Sequence, residues 1–185
     1  DIEKIIDSLQ EHHDVLRLRF KQEESATQVL LDSSNNDIPL ICFDFSLLSE
    51  DKQAAAIEAA ASKLEASLNL SQGPLFQVAL FDLGSDRTQR LLWIIHQLAI
   101  DGVSWRILLE DFQTAYQQVN QGRAIKLPPK TTSYQQWSSH LQEYARSSEL
   151  LSETNFWLGI QSKSISPIPR DFPDGKNIED SASTV

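Results

Sequence analysis

Four residues whose types suit chemistry stand close together in Ile94-Ile95-His96-Gln97-Leu98-Ala99-Ile100-Asp101-Gly102-Val103-Ser104-Trp105. Imidazole is the side chain whose unperturbed pKa lies nearest neutrality, so His96 has the right type for proton transfer. A hydrogen-bonded, partly buried packing histidine is the plainer reading of the same residue. Gln97 can donate and accept hydrogen bonds but cannot take a proton near neutral pH. Asp101 can cap a helix by accepting backbone N–H bonds. It can equally take a bidentate guanidinium bond, which would order two segments at once. Gly102 permits a turn and the close approach of a ligand to the backbone, and a plain turn glycine explains it as well.

These residues need a strand to deliver them and a helix to carry them on. Leu91-Leu92-Trp93-Ile94-Ile95 within the predicted strand 89–96 is apolar on both faces and belongs mid-sheet or between layers. After Asp101-Gly102, the positions Trp105, Leu108, Leu109, Phe112, Tyr116 and Val119 predict a helix, and Gly122 is placed to stop it. Upstream, Ile2, Ile5, Ile6 and Leu9 predict a helix over 1–13 with one buried face. Leu16, Leu18 and Phe20 alternate with Arg17, Arg19 and Lys21 as a half-buried strand. Further strands are predicted at 28–31, 38–45 and 75–83, with the turn-rich 32–37 after the first of them. Ser49 can cap a helix whose stripe is Ile57, Ala61, Leu64 and Leu68, ended by Gly73-Pro74. Leu127-Pro128-Pro129 is a stiff connection to a helix from Ser133, and a last helical piece covers 150–160. Trp105, Trp137 and Trp157 fall on helical apolar faces and are expected in the core. The order predicts an α/β fold, a mixed sheet with helices packed on it.

The composition narrows the function. The 185 residues carry a formal net charge of −10, with 41% hydrophobic and 23% charged residues. Nucleic acid, which demands Lys and Arg, is excluded as a partner. The chain has no apolar run long enough to cross a bilayer, and no signal peptide is expected before Asp1. Cys42, in an apolar strand-like stretch, is expected to be a buried inert thiol, which fits a cytoplasmic protein. Neither GxGxxG nor GxxxxGK[ST] occurs, so a nucleotide fold has no support. Zinc has none either: the four His and one Cys are not at ligand spacing, and adjacent His12 and His13 are expected to face different ways. The chain opens directly in a helical pattern and ends in a polar tail, as if both ends were cut from a longer polypeptide.

The segment His96-Gln97-Leu98-Ala99-Ile100-Asp101-Gly102 resembles the HHxxxDG signature of the condensation and epimerization domains of nonribosomal peptide synthetases. His12-His13-Asp14-Val15-Leu16-Arg17-Leu18-Arg19-Phe20 resembles the arginine-containing motif that precedes it in that family. Leu127-Pro-Pro-Lys-Thr-Thr-Ser133 and Trp137 also stand where the family has similar residues. The resemblance implies a chloramphenicol acetyltransferase-like lobe. Residues 1–185 would be the N-terminal lobe of a two-lobed domain whose C-terminal lobe is absent, with 162–185 a mostly irregular tail toward it. It implies no bound cofactor and no metal. The substrate would arrive on the phosphopantetheine arm of a peptidyl carrier protein, in a tunnel between the lobes. Val103-Ser-Trp-Arg-Ile-Leu-Leu-Glu-Asp111, Lys130-Thr-Thr-Ser133 and the His-His-Asp start of the first motif favour epimerization of a thioester-bound residue over amide-forming condensation.

Residue by residue, the resemblance makes Asp101 a structural partner of Arg17 and His96 a packing residue. Gln97 falls on the family's second His, which is credited with the proton chemistry. A missing general base costs about 10²–10⁴ in rate. His96 is badly placed to substitute, because successive strand residues point to opposite faces. The expectation is a site whose scaffold is present and whose activity is impaired. A non-catalytic platform for carrier proteins or tailoring enzymes is the alternative of a different class.

Overall fold

The computed structural model describes residues 1–23, 27–31, 40–161, 169 and 174–175. It divides into two units, residues 1–137 and 138–185.

The first unit is built on a three-stranded sheet of β3 (Leu40–Asp44), β4 (Phe76–Asp82) and β5 (Arg90–Ile95), in that order. β3 runs parallel to β4 with Leu40 opposite Val78, and β4 runs antiparallel to β5 with Phe76 opposite Ile95. A parallel pair needs a crossover, and α2 (Glu50–Ala66) supplies it. The period-2 alternation of β4 and β5 sorts their side chains between two layers. Phe76, Val78, Leu91, Trp93 and Ile95 pack with Ile5, Ile6 and Leu9 of α1 (Ile2–His12) and Leu108 and Ala115 of α3 (Gly102–Asn120). Ala79, Phe81, Leu92 and Ile94 pack with Ala60 and Leu64 of α2 on the other face. The result is the expected α/β arrangement of helices on a mixed sheet. The apolar strand Leu91–Ile95 lies between layers as read from its sequence. Mid-sheet, however, is β4.

A separate antiparallel pair is formed by β1 (Leu18–Gln22) and β2 (Thr27–Leu31). Leu18 joins Leu75 and Ala99 in a third cluster, which fastens this pair to the end of β5. The strand expected from Leu16 starts at Leu18, because residues Asp14–Arg17 form a 3-10 turn. At Gly73, φ is +78°, and a Cβ there would run into the guanidinium of buried Arg19. Gly122 stops α3 as predicted, at φ +67°.

Several burial expectations are overturned. Cys42 is exposed, not buried, because β3 is an outer strand among the described residues, with Ile41 also exposed. On α3, Leu108 is buried as expected, but Leu109 and Tyr116 are exposed, and Ala115 and the polar Asp111 are buried in their place. Trp105 packs against the core, but Trp137 and Trp157 are exposed.

Ser133 starts α4 (Tyr134–Ala145) through a reciprocal pair of bonds: the Gln136 amide donates to its hydroxyl, and its own amide donates to Gln136 Oε1. In the second unit, the helical piece expected over 150–160 is two helices, α5 (Ser148–Ser152) and α6 (Thr154–Gln161). The hydroxyls of Ser152 and Thr154 bond the carbonyls of Glu149 and Leu151 and interrupt a continuous ladder. The turn 32–37, Ile38 and nearly all of the tail from 162 lie outside the described residues.

Candidate functional site

β5 ends at Ile95, and the chain turns through His96–Ala99 before α3 begins. The turn is held from both sides. The His96 amide donates to the Leu75 carbonyl at 2.9 Å, and the Ala99 amide donates to the His96 carbonyl at 2.8 Å. Ala99 and Ile100 are buried beneath it, while Gln97 and Leu98 are exposed above. His96 is half-buried, and its Nδ1 accepts the Leu98 amide at 3.1 Å. That bond ties up one ring nitrogen in shaping the turn. Gln97 therefore presents its carboxamide from the outside of a short, well-anchored turn.

Asp101 is the N-cap of α3, with extended backbone and Oδ1 accepting the Ser104 amide at 2.7 Å. The Ser104 hydroxyl, then the Ser104 amide, hold its carboxyl below the usual range. Gly102 is the first residue of α3; its φ is not positive, and a Cβ there would meet open space within 4 Å. Nothing local among the described residues therefore requires glycine at 102.

The Arg17–Asp101 pair expected from the motifs is not formed. Among the described residues Arg17 is ion-paired with Asp14, at 3.1 Å. Its Nη1 donates to the Gln10 and Glu11 carbonyls at 2.7 and 3.1 Å. The reason is local. The 3-10 turn folds Arg17 back over the C-terminal end of α1, where free carbonyls and the helix dipole attract a cation. Asp101 meanwhile satisfies its own helix start.

A second polar constellation escapes the sequence reading. The His13 ring nitrogen Nε2 lies 3.0 Å from Asp111 Oδ2, across 98 residues of sequence. Asp111 is buried on the inner side of α3, and His12 and His13 are half-buried. The two imidazoles meet edge to face, with ring centroids 5.0 Å apart, so the expectation that they face different ways fails. Helical and extended alternation both break down at this junction, because His12 closes α1 and His13 is its extended C-cap at φ −97°, ψ 93°. Burial pushes the His13 imidazole below its ordinary pKa, outweighing the opposing pull of Asp111. These residues line a cleft of about 430 Å³ with Asp14, Glu110, Lys130, Thr131 and Ser133. Lys130 Nζ donates to Asp14 at 2.8 Å and to the Glu11 carbonyl at 3.2 Å. The one available sequence signal is a polar Asp at a core position of α3, three residues after Leu108.

A strand-end turn entering a capped helix, on helices and a mixed sheet, is a chloramphenicol acetyltransferase-like arrangement, and the comparisons agree. The Condensation domain family model matches residues 1–184, and the chain belongs to that family. It is 48% identical over 147 residues to one of the linear gramicidin synthase proteins of Brevibacillus parabrevis, covering 80% of this chain and 3% of that protein. It is 42% identical over 174 residues to tyrocidine synthase 1 of the same organism, covering 92% of this chain and 16% of that one. The epimerization domain from the third module of tyrocidine synthetase B superposes with a TM-score of 0.82 at 34% identity, over 90% of this chain and 37% of that one. The starter condensation domain of rhizomide synthetase shares the fold, with a TM-score of 0.70 at 21% identity over 90% of this chain and 39% of that one. The chain thus spans a small part of the curated synthetases it matches and just over a third of the solved epimerization domain. No helix among the described residues is long and apolar enough to cross a membrane.

Proposed function

We propose that this chain is the N-terminal lobe of an epimerization-type domain, whose complete form inverts the α-carbon of an aminoacyl or peptidyl group held as a carrier-protein thioester. The observation that carries the reading is the 34% identity and TM-score of 0.82 with a solved epimerization domain across 90% of this chain. The phosphopantetheine arm belongs to the carrier protein, and the lobe itself supplies turn, helix start and wall. Gly102, with open space over its Cα, leaves room for such an arm to approach the start of α3.

Inversion requires a base that removes the α-proton and an acid that returns one to the opposite face. Gln97 stands at the position of the family's proton-transferring His and can only hydrogen-bond. His96 has its Nδ1 committed to the Leu98 amide. This copy is accordingly impaired in proton transfer while keeping the site's turn and capped helix start.

The test is Gln97→His in the complete two-lobed domain, with α-proton exchange on a carrier-bound aminoacyl thioester followed by mass spectrometry. Exchange rising about 10²–10⁴-fold supports the reading. Amide formation without exchange would move the assignment to condensation. Intact carrier binding with neither reaction would make the lobe a docking platform, a reading favoured by the absence of a base at position 97.

A further inference from the structure

We propose that His12, His13 and Asp111 form a binding site for a divalent cation of the zinc class, with an open coordination position facing the adjoining cleft. One ligand atom from each of the three residues lies within 4.8 Å of the others. Tetrahedral zinc, with bonds of about 2.0–2.2 Å, sets its ligand atoms roughly 3.3 Å apart. The His13–Asp111 separation of 3.0 Å is already close to that edge, so a small turn of the His12 ring completes a three-point face. The donor set matters as much as the distance. Two imidazoles and one carboxylate suit zinc and its neighbours rather than magnesium or calcium, which prefer oxygen.

The surroundings favour a cation over an anion. The cleft walls carry three carboxylates, from Asp14, Glu110 and Asp111, against the single ammonium of Lys130. That ammonium is already engaged by Asp14 and the Glu11 carbonyl, which blunts its repulsion of a bound metal. The Ser133 amide, at the start of α4, is taken by Gln136. A phosphate would therefore meet mainly carboxylates and committed donors. The metal ligands, by contrast, are held by the backbone: His12 ends α1, His13 is its cap, and Asp111 is buried on α3. Thr131 and Ser133 line the same cleft, whose space of about 430 Å³ leaves room for a water as a fourth ligand. The site involves neither Gln97 nor Asp101 and stands whether the domain epimerizes or condenses.

Calorimetric titration of the protein with zinc chloride tests it, together with the visible spectrum of the Co²⁺-loaded form. One equivalent of Zn²⁺ should bind at micromolar affinity, and Co²⁺ should give tetrahedral-type absorption. His12→Ala, which leaves the His13–Asp111 bond in place, should weaken Zn²⁺ at least about tenfold and abolish the Co²⁺ bands. His140→Ala, at an exposed histidine, should leave both unchanged. Asp111→Asn should weaken binding likewise if circular dichroism shows it folded; otherwise His12→Ala alone decides. No saturable Zn²⁺ binding to the folded protein, or equal affinity in His12→Ala and the wild type, would overturn the proposal.

Discussion

Two junctions between helix and strand in this chain carry polar residues, yet they are built in opposite ways. At the turn 96–104, the side-chain bonds are local: His96 holds Leu98, and Asp101 holds Ser104. At the junction 12–17, Arg17 and Lys130 clamp the end of α1, and His13 reaches Asp111 across 98 residues. In the first region the side-chain bonds reach no further than three residues, and Gln97, Leu98 and Asp101 face solvent. The second is half-buried and depends on the tertiary fold. Side-chain bonds that are local depend little on distant elements, whereas a long-range one reports directly on whether α1 and α3 are docked.

The contrast breaks most readily at Asp111. Removing this buried carboxylate in Asp111→Ala leaves His13 without its partner and should cost about 1–3 kcal/mol in urea unfolding. A loss below about 0.5 kcal/mol would mean that the His13–Asp111 bond does not couple the two helices.

Asp101→Ala should lower the thermal midpoint by less, because only the start of α3 loses its cap. This effect should depend on acidity. The Asp101 carboxyl is held below its usual range, so its stabilisation is complete above about pH 4 and fades as pH falls through the lowered value. The difference in midpoint between the wild type and Asp101→Ala should therefore be largest near neutrality and shrink toward pH 3. A constant difference would show that capping here does not involve the ionised carboxylate.

Smallest of all is Gln97→Ala. With its side chain exposed on a turn fastened by backbone bonds, unfolding free energy should change by no more than about 0.5 kcal/mol. A larger loss would place Gln97 in the framework instead of on its outer face.

How much of the molecule is legible in its sequence follows the same division. Amphipathic α1, the strand Leu91–Ile95, the Asp101–Gly102 helix start and the stop at Gly122 rest on period and cap chemistry within a few residues. All are found. The brace between Arg17 and Asp101 is an expectation about two distant segments, and it loses to nearer carbonyls and Asp14. Cys42 misleads because an apolar strand does not announce whether it sits inside or at the margin of its sheet. Asp111 gives little warning because a carboxylate on a helix normally reads as solvated, and its partner lies on another element. Adjacent His12 and His13 are separated by a rule of regular structure that does not hold where a helix ends.

The three-stranded sheet has one further consequence. Among the described residues, β3 and β5 each pair on one side only, with β4. Along β5, Arg90 is the only charged residue, at the strand's start, followed by Leu91-Leu92-Trp93-Ile94-Ile95. Backbone N–H and C=O groups that no described strand pairs, beside such a run, are a template for strand addition from another molecule, since charge, proline and bulges are the usual guards of an edge. Handled by itself, this chain should gather into larger species as its concentration rises. A lysine in place of Leu92 would blunt that tendency at some expense to packing against α2.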